Sequence, residues 1–155
     1  MGREFDAHLQ YLSVAAYLDS EGLPELARFF SGQASEEHLH AMRFWRYVLD
    51  AGGVPAIPAL ASPKSGFESV EEAVQLSLDQ EKAVTRHIDN LVELSMQRGD
   101  HATHQFLTWF VTEQVEEVST MSELLHVVRR AGEPNLLLVE DYVARKVAAG
   151  EGPQA

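Results

Sequence analysis

The sequence predicts an all-α protein, a bundle of four long helices followed by a short fifth helix. Three observations predict this fold class. Apolar residues recur at spacings of three and four along four long segments. Glycine or proline punctuates the ends of these segments, and one connection is much longer than the others. The 155 residues fit one domain, which we place at residues 1–150, with a disordered tail at 151–155.

The first helix is predicted over residues 3–20 and the second over residues 24–51. Between them, Glu21-Gly22-Leu23 breaks the apolar pattern, and Pro24 suits the first turn of a new helix. Gly52-Gly53 then stops the second helix. The short connection predicts that these two helices are antiparallel neighbours.

The third helix is predicted to begin at Ser69, which forms a capping-box pattern with Glu72, and to end at Gly99. Residues 52–68 precede it and contain three prolines. A structureless connection of this length is unusual in a compact domain. It is explained if the second and third helices are parallel, because the chain must then cross the length of the bundle.

The fourth helix is predicted to be capped by Asp100 and to run to Ala131, before Gly132. The tight turn at Gly99 predicts that it is antiparallel to the third helix. The fifth helix follows Pro134 and fades near Gly150.

On each of the four long helices, acidic residues interrupt the row, or stripe, of apolar residues. These acids lie at about the same height along the bundle. Glu4 and His40 each lie 18 residues from Gly22, on opposite sides of it. Glu81 and Glu117 lie 18 residues on either side of Gly99 in the same way. Since one helical turn rises about 5.4 Å, these residues and Glu37 are predicted within about a turn of one level.

Several acids at one buried level favour a metal site over ordinary core acids satisfied by their neighbours. None of the four stripes contains Lys or Arg, and buried like charges repel each other. Divalent cations remove that repulsion. Carboxylates with one imidazole suit iron or manganese, and Glu37 is best placed to bridge two ions beside His40. Tyr11 could supply an electron to such a pair, although its spacing fits a core tyrosine equally well.

The composition excludes several other classes of protein. The chain has no Cys, which rules out thiolate zinc sites, iron–sulfur clusters and disulfide scaffolds. The net charge of −12 argues against nucleic-acid binding, which needs a basic face. We find no apolar segment typical of a signal peptide or a membrane span, and we therefore expect a cytoplasmic protein that does not bind membranes.

These motifs closely resemble those of the non-haem bacterial ferritins, especially the actinobacterial ones. The resemblance implies a ferritin-like four-helix bundle that oxidises Fe(II) with dioxygen or peroxide. It also implies a hollow cage of 24 copies that stores ferric mineral. The match covers essentially the whole chain after residue 3, and its motifs are Tyr11 and the runs at residues 33–42, 79–85 and 106–117.

The resemblance assigns ligands residue by residue. Glu4, Glu37 and His40 are similar to the first iron site of the family. Glu37, Glu81 and Glu117 are similar to the second, with Gln114 nearby. A third iron site towards the cavity is implied by Glu36, Glu113, Glu116 and Glu117.

The sequence departs from the pattern of related groups in three places. Bacterioferritins carry a second Glu-x-x-His, whereas Glu117 is followed three residues later by Thr120. Their haem-ligating Met is replaced by His38, which we interpret as a surface or interface histidine, so that no haem is expected. The first helix is about three turns shorter than is usual in the family, which places Glu4 where a helix would fray.

Other members of the superfamily fit less well. A haem-containing bacterioferritin is the first alternative. A DNA-protecting mini-ferritin would need a basic tail, and a rubrerythrin-type peroxidase would need a Cys-rich domain. Four histidines lie away from the group of acids: His87, His101, His104 and His126. Of these, His104 lies where the family lines its threefold channels, although a role as a surface histidine fits it equally well.

Overall fold

The computed structural model describes residues 1–149, and it forms these into five α-helices and one short 3-10 turn, with no strand among them. The bounds follow the predicted ones within one or two residues. The predicted tail at 151–155 lies outside the described residues. The elements are α1 (Gly2–Ser20), α2 (Pro24–Asp50), α3 (Val70–Arg98), α4 (His101–Ala131), the 3-10 turn (Glu133–Asn135) and α5 (Leu136–Ala148).

Backbone contacts divide the described chain into two compact units. The first unit comprises Met1–Ala73 and the chain from Val127 onward, and the second comprises Val74–His126. The prediction of a single domain over residues 1–150 stays a prediction. None of the helices within residues 1–149 has the length and hydropathy needed to span a bilayer.

In the first unit, α1 and α2 form an antiparallel pair joined by a tight turn at Gly22. Gly22 has a φ of 77°, and the amide of Leu23 donates to the carbonyl of Leu18 at 3.0 Å. This is a Schellman-type helix end, which favours glycine because its φ is positive. The rings of Tyr11 on α1 and Phe30 on α2 are in contact, with centroids 5.7 Å apart. The prediction of antiparallel neighbours is therefore confirmed for these helices.

The long crossover between α2 and α3 runs along α1 in the direction of that helix. Its Ala61 amide donates to the Asp6 carboxylate at 2.9 Å. The Lys64 carbonyl accepts hydrogen bonds from Gln10 at 3.0 Å and from Ser13 at 2.7 Å. Side chains of α1 therefore satisfy backbone groups that no regular ladder satisfies. This course confirms the prediction that the connection travels lengthwise before the next helix starts.

The start of α2 is capped by a residue of α5. Leu23 supplies no side-chain cap, and Pro24 has no amide proton. The next two amides, of Glu25 and Leu26, donate to the carboxylate of Glu140 at 2.9 and 2.7 Å. Glu140 is 8 % exposed. One buried carboxylate thus satisfies the free donors of the first turn of α2 and fixes α5 against it.

In the second unit, α3 and α4 are joined by the turn at Gly99, whose φ is 64°. Asp100 caps α4, because its carboxylate accepts from the Thr103 amide at 3.0 Å. This hydrogen bonding holds the pKa of Asp100 below its ordinary value. The start of α3, which belongs to the first unit, is capped as predicted by Ser69, whose hydroxyl accepts from the Glu72 amide at 3.0 Å.

Candidate metal centre

Three predicted ligands come together in the first unit, where α1 packs against α2. Glu4, Glu37 and His40 each offer one ligand atom, and these atoms lie within 4.8 Å of one another. Their side chains are almost completely buried, with exposed fractions of 2 %, 1 % and 4 %. Glu37 and His40 share one face of α2 because they are three residues apart. Two carboxylates and one imidazole are a donor set that suits a divalent transition metal.

The protonation state of His40 suits a metal, and the buried carboxyl group of Glu4 needs a cation to compensate its charge when it is ionised. Burial, with a smaller contribution from the charge of Arg43, lowers the pKa of His40 to about 4. The ring is therefore neutral at pH 7, which is the form that binds a metal. Burial also raises the pKa of Glu4. Among the described residues, the Oε2 atom of Glu4 is buried and has no hydrogen-bond partner. A cation would satisfy this oxygen, so the residues fit a metal ion.

Glu4 lies in the first turn of α1, yet it is buried rather than frayed. The helix begins at Gly2, and the Phe5 amide donates to the Met1 carbonyl at 3.1 Å. The prediction that Glu4 lies close to a helix end is therefore confirmed. The expected fraying is not seen, because packing against α2 buries the side chain.

Replacing Glu4 with Gln is expected to stabilise the metal-free protein at neutral pH. Because burial raises the pKa of Glu4 above its unfolded value of about 4.5, ionisation of this group disfavours the folded state as the pH rises. The gain in melting temperature over wild type should be several degrees at pH 7.5 and should shrink as the pH falls towards 4.5. Thermal unfolding after chelation tests this. An equal difference at both pH values would contradict it.

The second unit contains the other predicted ligands. Glu81 of α3 is fully buried, and Gln114 and Glu117 of α4 are 3 % and 5 % exposed. The Gln114 amide lies 3.5 Å from the Glu81 carboxylate. Thr85 fixes this amide, because its hydroxyl donates to the Gln114 carbonyl oxygen at 2.8 Å and leaves the NH₂ group directed at Glu81. The second unit therefore presents its own group of buried oxygen donors.

The residues assigned to a third site are more exposed. Glu36 is half-buried, and its carboxylate accepts from the Gln33 amide at 2.6 Å. Glu113 is half-buried and Glu116 is exposed. Tyr11 is fully buried, about two turns along α1 from Glu4, and contacts Phe30.

Sequence reasoning missed three polar residues whose side chains form hydrogen bonds: Gln33, Thr85 and His8. Gln33 is 3 % exposed, and its Oε1 atom has no hydrogen-bond partner among the described residues. Gln33 and Thr85 are both polar residues within apolar stripes, which is the signal that could have identified them. The Nδ1 atom of His8 donates to the Ala34 carbonyl at 2.7 Å.

The family model of the ferritin-like domain matches residues 1–131, and the chain therefore belongs to the ferritin-like domain family. The chain is 42 % identical to ferritin BfrB of Mycolicibacterium smegmatis over 153 residues, which are 98 % of this chain and 84 % of that protein. It is 39 % identical to a bacterial non-heme ferritin of Staphylococcus aureus over 133 residues, 86 % of this chain and 80 % of the relative.

Comparison with solved structures also identifies a ferritin fold. An open pore ferritin from the hyperthermophilic archaeon Archaeoglobus fulgidus superposes with a TM-score of 0.88 at 35 % identity, covering 92 % of this chain and 88 % of that chain. The predicted fold class, an all-α ferritin-like four-helix bundle with a long crossover and a short fifth helix, is confirmed. The resemblance to bacterial ferritins is confirmed with it.

Proposed function

We propose that this protein is an iron-storage ferritin, which oxidises Fe(II) to Fe(III) at a di-iron ferroxidase centre and stores the product as ferric mineral. The observation that carries the proposal is the buried group of Glu4, Glu37 and His40, whose ligand atoms lie within 4.8 Å of one another. A neutral imidazole and a buried carboxylate oxygen without a hydrogen-bond partner support a cation at this group. Family membership supports iron as that cation.

The second iron would be held by Glu81 and Glu117, with Glu37 as the bridge and Gln114 beside them. The spacing along the chain supports this pairing, because Glu81 and Glu117 lie 18 residues on either side of Gly99. Their burial also supports it, since a carboxylate in a dry interior needs a compensating charge. Fe(II) is the substrate in this scheme, and these protein groups would hold both ions for oxidation.

The number of electrons that dioxygen accepts determines how many electron donors the protein has to provide. Oxidation of two Fe(II) ions releases two electrons, which reduce one dioxygen to peroxide with the uptake of two protons. Reduction of one dioxygen to two water molecules takes four electrons and four protons, so two more electron donors are needed. The third iron site, formed by Glu36, Glu113 and Glu116 with Glu117, and the phenol of Tyr11 would supply one electron each. We assign this role to Tyr11 because it lies on the helix that carries Glu4, seven residues away from it.

Replacing Tyr11 with Phe should leave iron binding intact and change the products of oxidation. With one donor lost, less dioxygen is reduced fully to water, and more peroxide should be released per Fe(II) oxidised. Measuring peroxide and dioxygen consumption during the first turnover tests this, with Tyr142→Phe as the control at a half-buried tyrosine of α5. Unchanged peroxide yield and oxygen stoichiometry in Tyr11→Phe would exclude the redox role.

A cage of 24 copies is the assembly we propose, in the cytoplasm, acting on iron ions and dioxygen or peroxide rather than on nucleic acid. Exposed large apolar residues in the first unit, among them the adjacent Leu137 and Leu138 of α5, support association with further copies, because contiguous exposed apolar surface is typical of protein interfaces. They include Leu12, Leu39, Val54, Ile57, Leu137 and Leu138. The net charge of −12 supports the exclusion of nucleic acid.

Iron loading tests the storage function directly. Fe(II) is added in air to the metal-free protein at well above two ions per chain, and the mixture is separated by size. Ferric iron should co-migrate with a particle about 24 times the chain mass of 17.2 kDa. Iron that precipitates, or that elutes apart from a protein of one or two chains, would refute the storage proposal.

A further inference from the structure

Two histidines from different helices lie side by side on the α1–α2 pair of the first unit, outside the group of Glu4, Glu37 and His40. The ring centroids of His8 and His38 are 5.6 Å apart, with an angle of 56° between the ring planes. His8 is half-buried and His38 is exposed. Neither residue has a part in the proposed oxidation of iron, so the pair needs an explanation of its own.

The hydrogen bonding of His8 fixes which nitrogen is available. Its Nδ1 atom lies 2.7 Å from the carbonyl oxygen of Ala34, which can only accept. Nδ1 therefore carries a proton, and in the neutral ring Nε2 has the free lone pair. Histidines that bind metals commonly have this arrangement, with one ring nitrogen bonded to a backbone carbonyl and the other on the metal.

His38 lies at a distance from His8 that suits a second imidazole on the same ion. Phe5 packs edge-on against the ring of His38, with centroids 6.0 Å apart, and so restricts its orientation. Metal–nitrogen bonds are about 2.0–2.1 Å long, which places the centroids of two imidazoles on one ion roughly 4.5–6.5 Å apart, depending on the angle between the two bonds. The observed separation of 5.6 Å falls in this range. His38 is exposed in the single chain, where water can fill the remaining coordination positions.

We propose that His8 and His38 form a second type of metal site, which binds a divalent ion of the later first-row transition metals such as Cu²⁺, Ni²⁺ or Zn²⁺. The nitrogen-only protein ligands favour these ions over Mg²⁺ or Ca²⁺, which prefer oxygen. Cu²⁺ binds tightest in the Irving–Williams order. The site is independent of the ferroxidase proposal, because its ligands are not among those assigned to iron.

Titration with Cu²⁺ under electron paramagnetic resonance tests the proposal. Wild type should show a Cu²⁺ signal with two nitrogen ligands and one equivalent per chain. His38→Phe keeps an aromatic ring beside Phe5 and His8 but has no nitrogen. This variant should lose the two-nitrogen Cu²⁺ signal, because its affinity for Cu²⁺ at this site should fall by roughly tenfold to a hundredfold or more. His126→Phe replaces another exposed histidine and serves as the control, which should retain the two-nitrogen Cu²⁺ signal.

Glu37→Ala separates this site from the proposed iron centre. The two-nitrogen Cu²⁺ signal should persist in Glu37→Ala even if that variant has lost iron oxidation. If wild type oxidises no Fe(II) but shows the signal, the ferroxidase proposal fails and this one stands. A two-nitrogen signal of equal size in His38→Phe, or its absence from wild type, would overturn the site.

Discussion

Replacing Glu37 with Ala is expected to reduce the initial rate of Fe(II) oxidation by roughly tenfold to a hundredfold or more. Glu37 is 1 % exposed and shares its group with Glu4 and His40, and we assign it to both irons. Loss of a residue that only orients a metal ligand costs about 10–100-fold in affinity or activity, so loss of a shared ligand should cost at least as much. Ferric absorbance in the first seconds after aerobic addition of Fe(II) measures the rate.

Glu93→Ala is the matched control, because Glu93 is an exposed acid of α3 whose carboxylate accepts from Gln97. Its initial rate should equal that of wild type. Circular dichroism should show the same helix content for all three proteins. If Glu37→Ala oxidises Fe(II) as fast as wild type, the ferroxidase assignment fails.

Replacing Glu140 with Ala should destabilise the protein by roughly 2–4 kcal/mol, because two amides of the first turn of α2 lose their acceptor. Leu23, at the N-cap position of α2, makes no side-chain capping hydrogen bond. Because Glu140 is buried, water does not readily replace the lost acceptor. For a chain of this size, that loss corresponds to a fall in melting temperature of roughly 5–15 °C. Thermal unfolding of the metal-free protein measures it.

Two variants control the Glu140 experiment. Glu140→Gln retains one oxygen acceptor and should fall between Ala and wild type. Asp141→Ala changes the next residue, an exposed partner of Arg145, and should shift the melting temperature by little. Equal melting temperatures for Glu140→Ala and Asp141→Ala would show that capping by Glu140 does not stabilise α2.

The helix boundaries could be predicted from sequence because their signals are local. Gly22 and Gly99 have the positive φ expected at helix ends, and Ser69 and Asp100 make the predicted capping hydrogen bonds. The cap supplied by Glu140 could not be predicted, because it lies 114 residues from Leu26. Nothing in the local pattern distinguishes this carboxylate from an exposed acid of α5.

Part of the candidate site was predictable for a similar reason. Helical rise converts distance along the chain into height, so equal spacing from Gly22 indicated that Glu4 and His40 lie near one level. The structure confirms that these two residues and Glu37 come together. The orientation of a side chain cannot be predicted from spacing along the chain in this way. The hydrogen bond from Thr85 to Gln114 and that from His8 to Ala34 depend on rotamers, which spacing does not determine.

The most direct test of the central claim is an anomalous-scattering map, collected at the iron edge from crystals loaded with Fe(II) in the absence of oxygen. We predict two peaks. One should lie within bonding distance of Glu4, Glu37 and His40, and the other within bonding distance of Glu37, Glu81 and Glu117. Iron found only on exposed acids, with neither of these groups occupied, would contradict a di-iron centre in this protein.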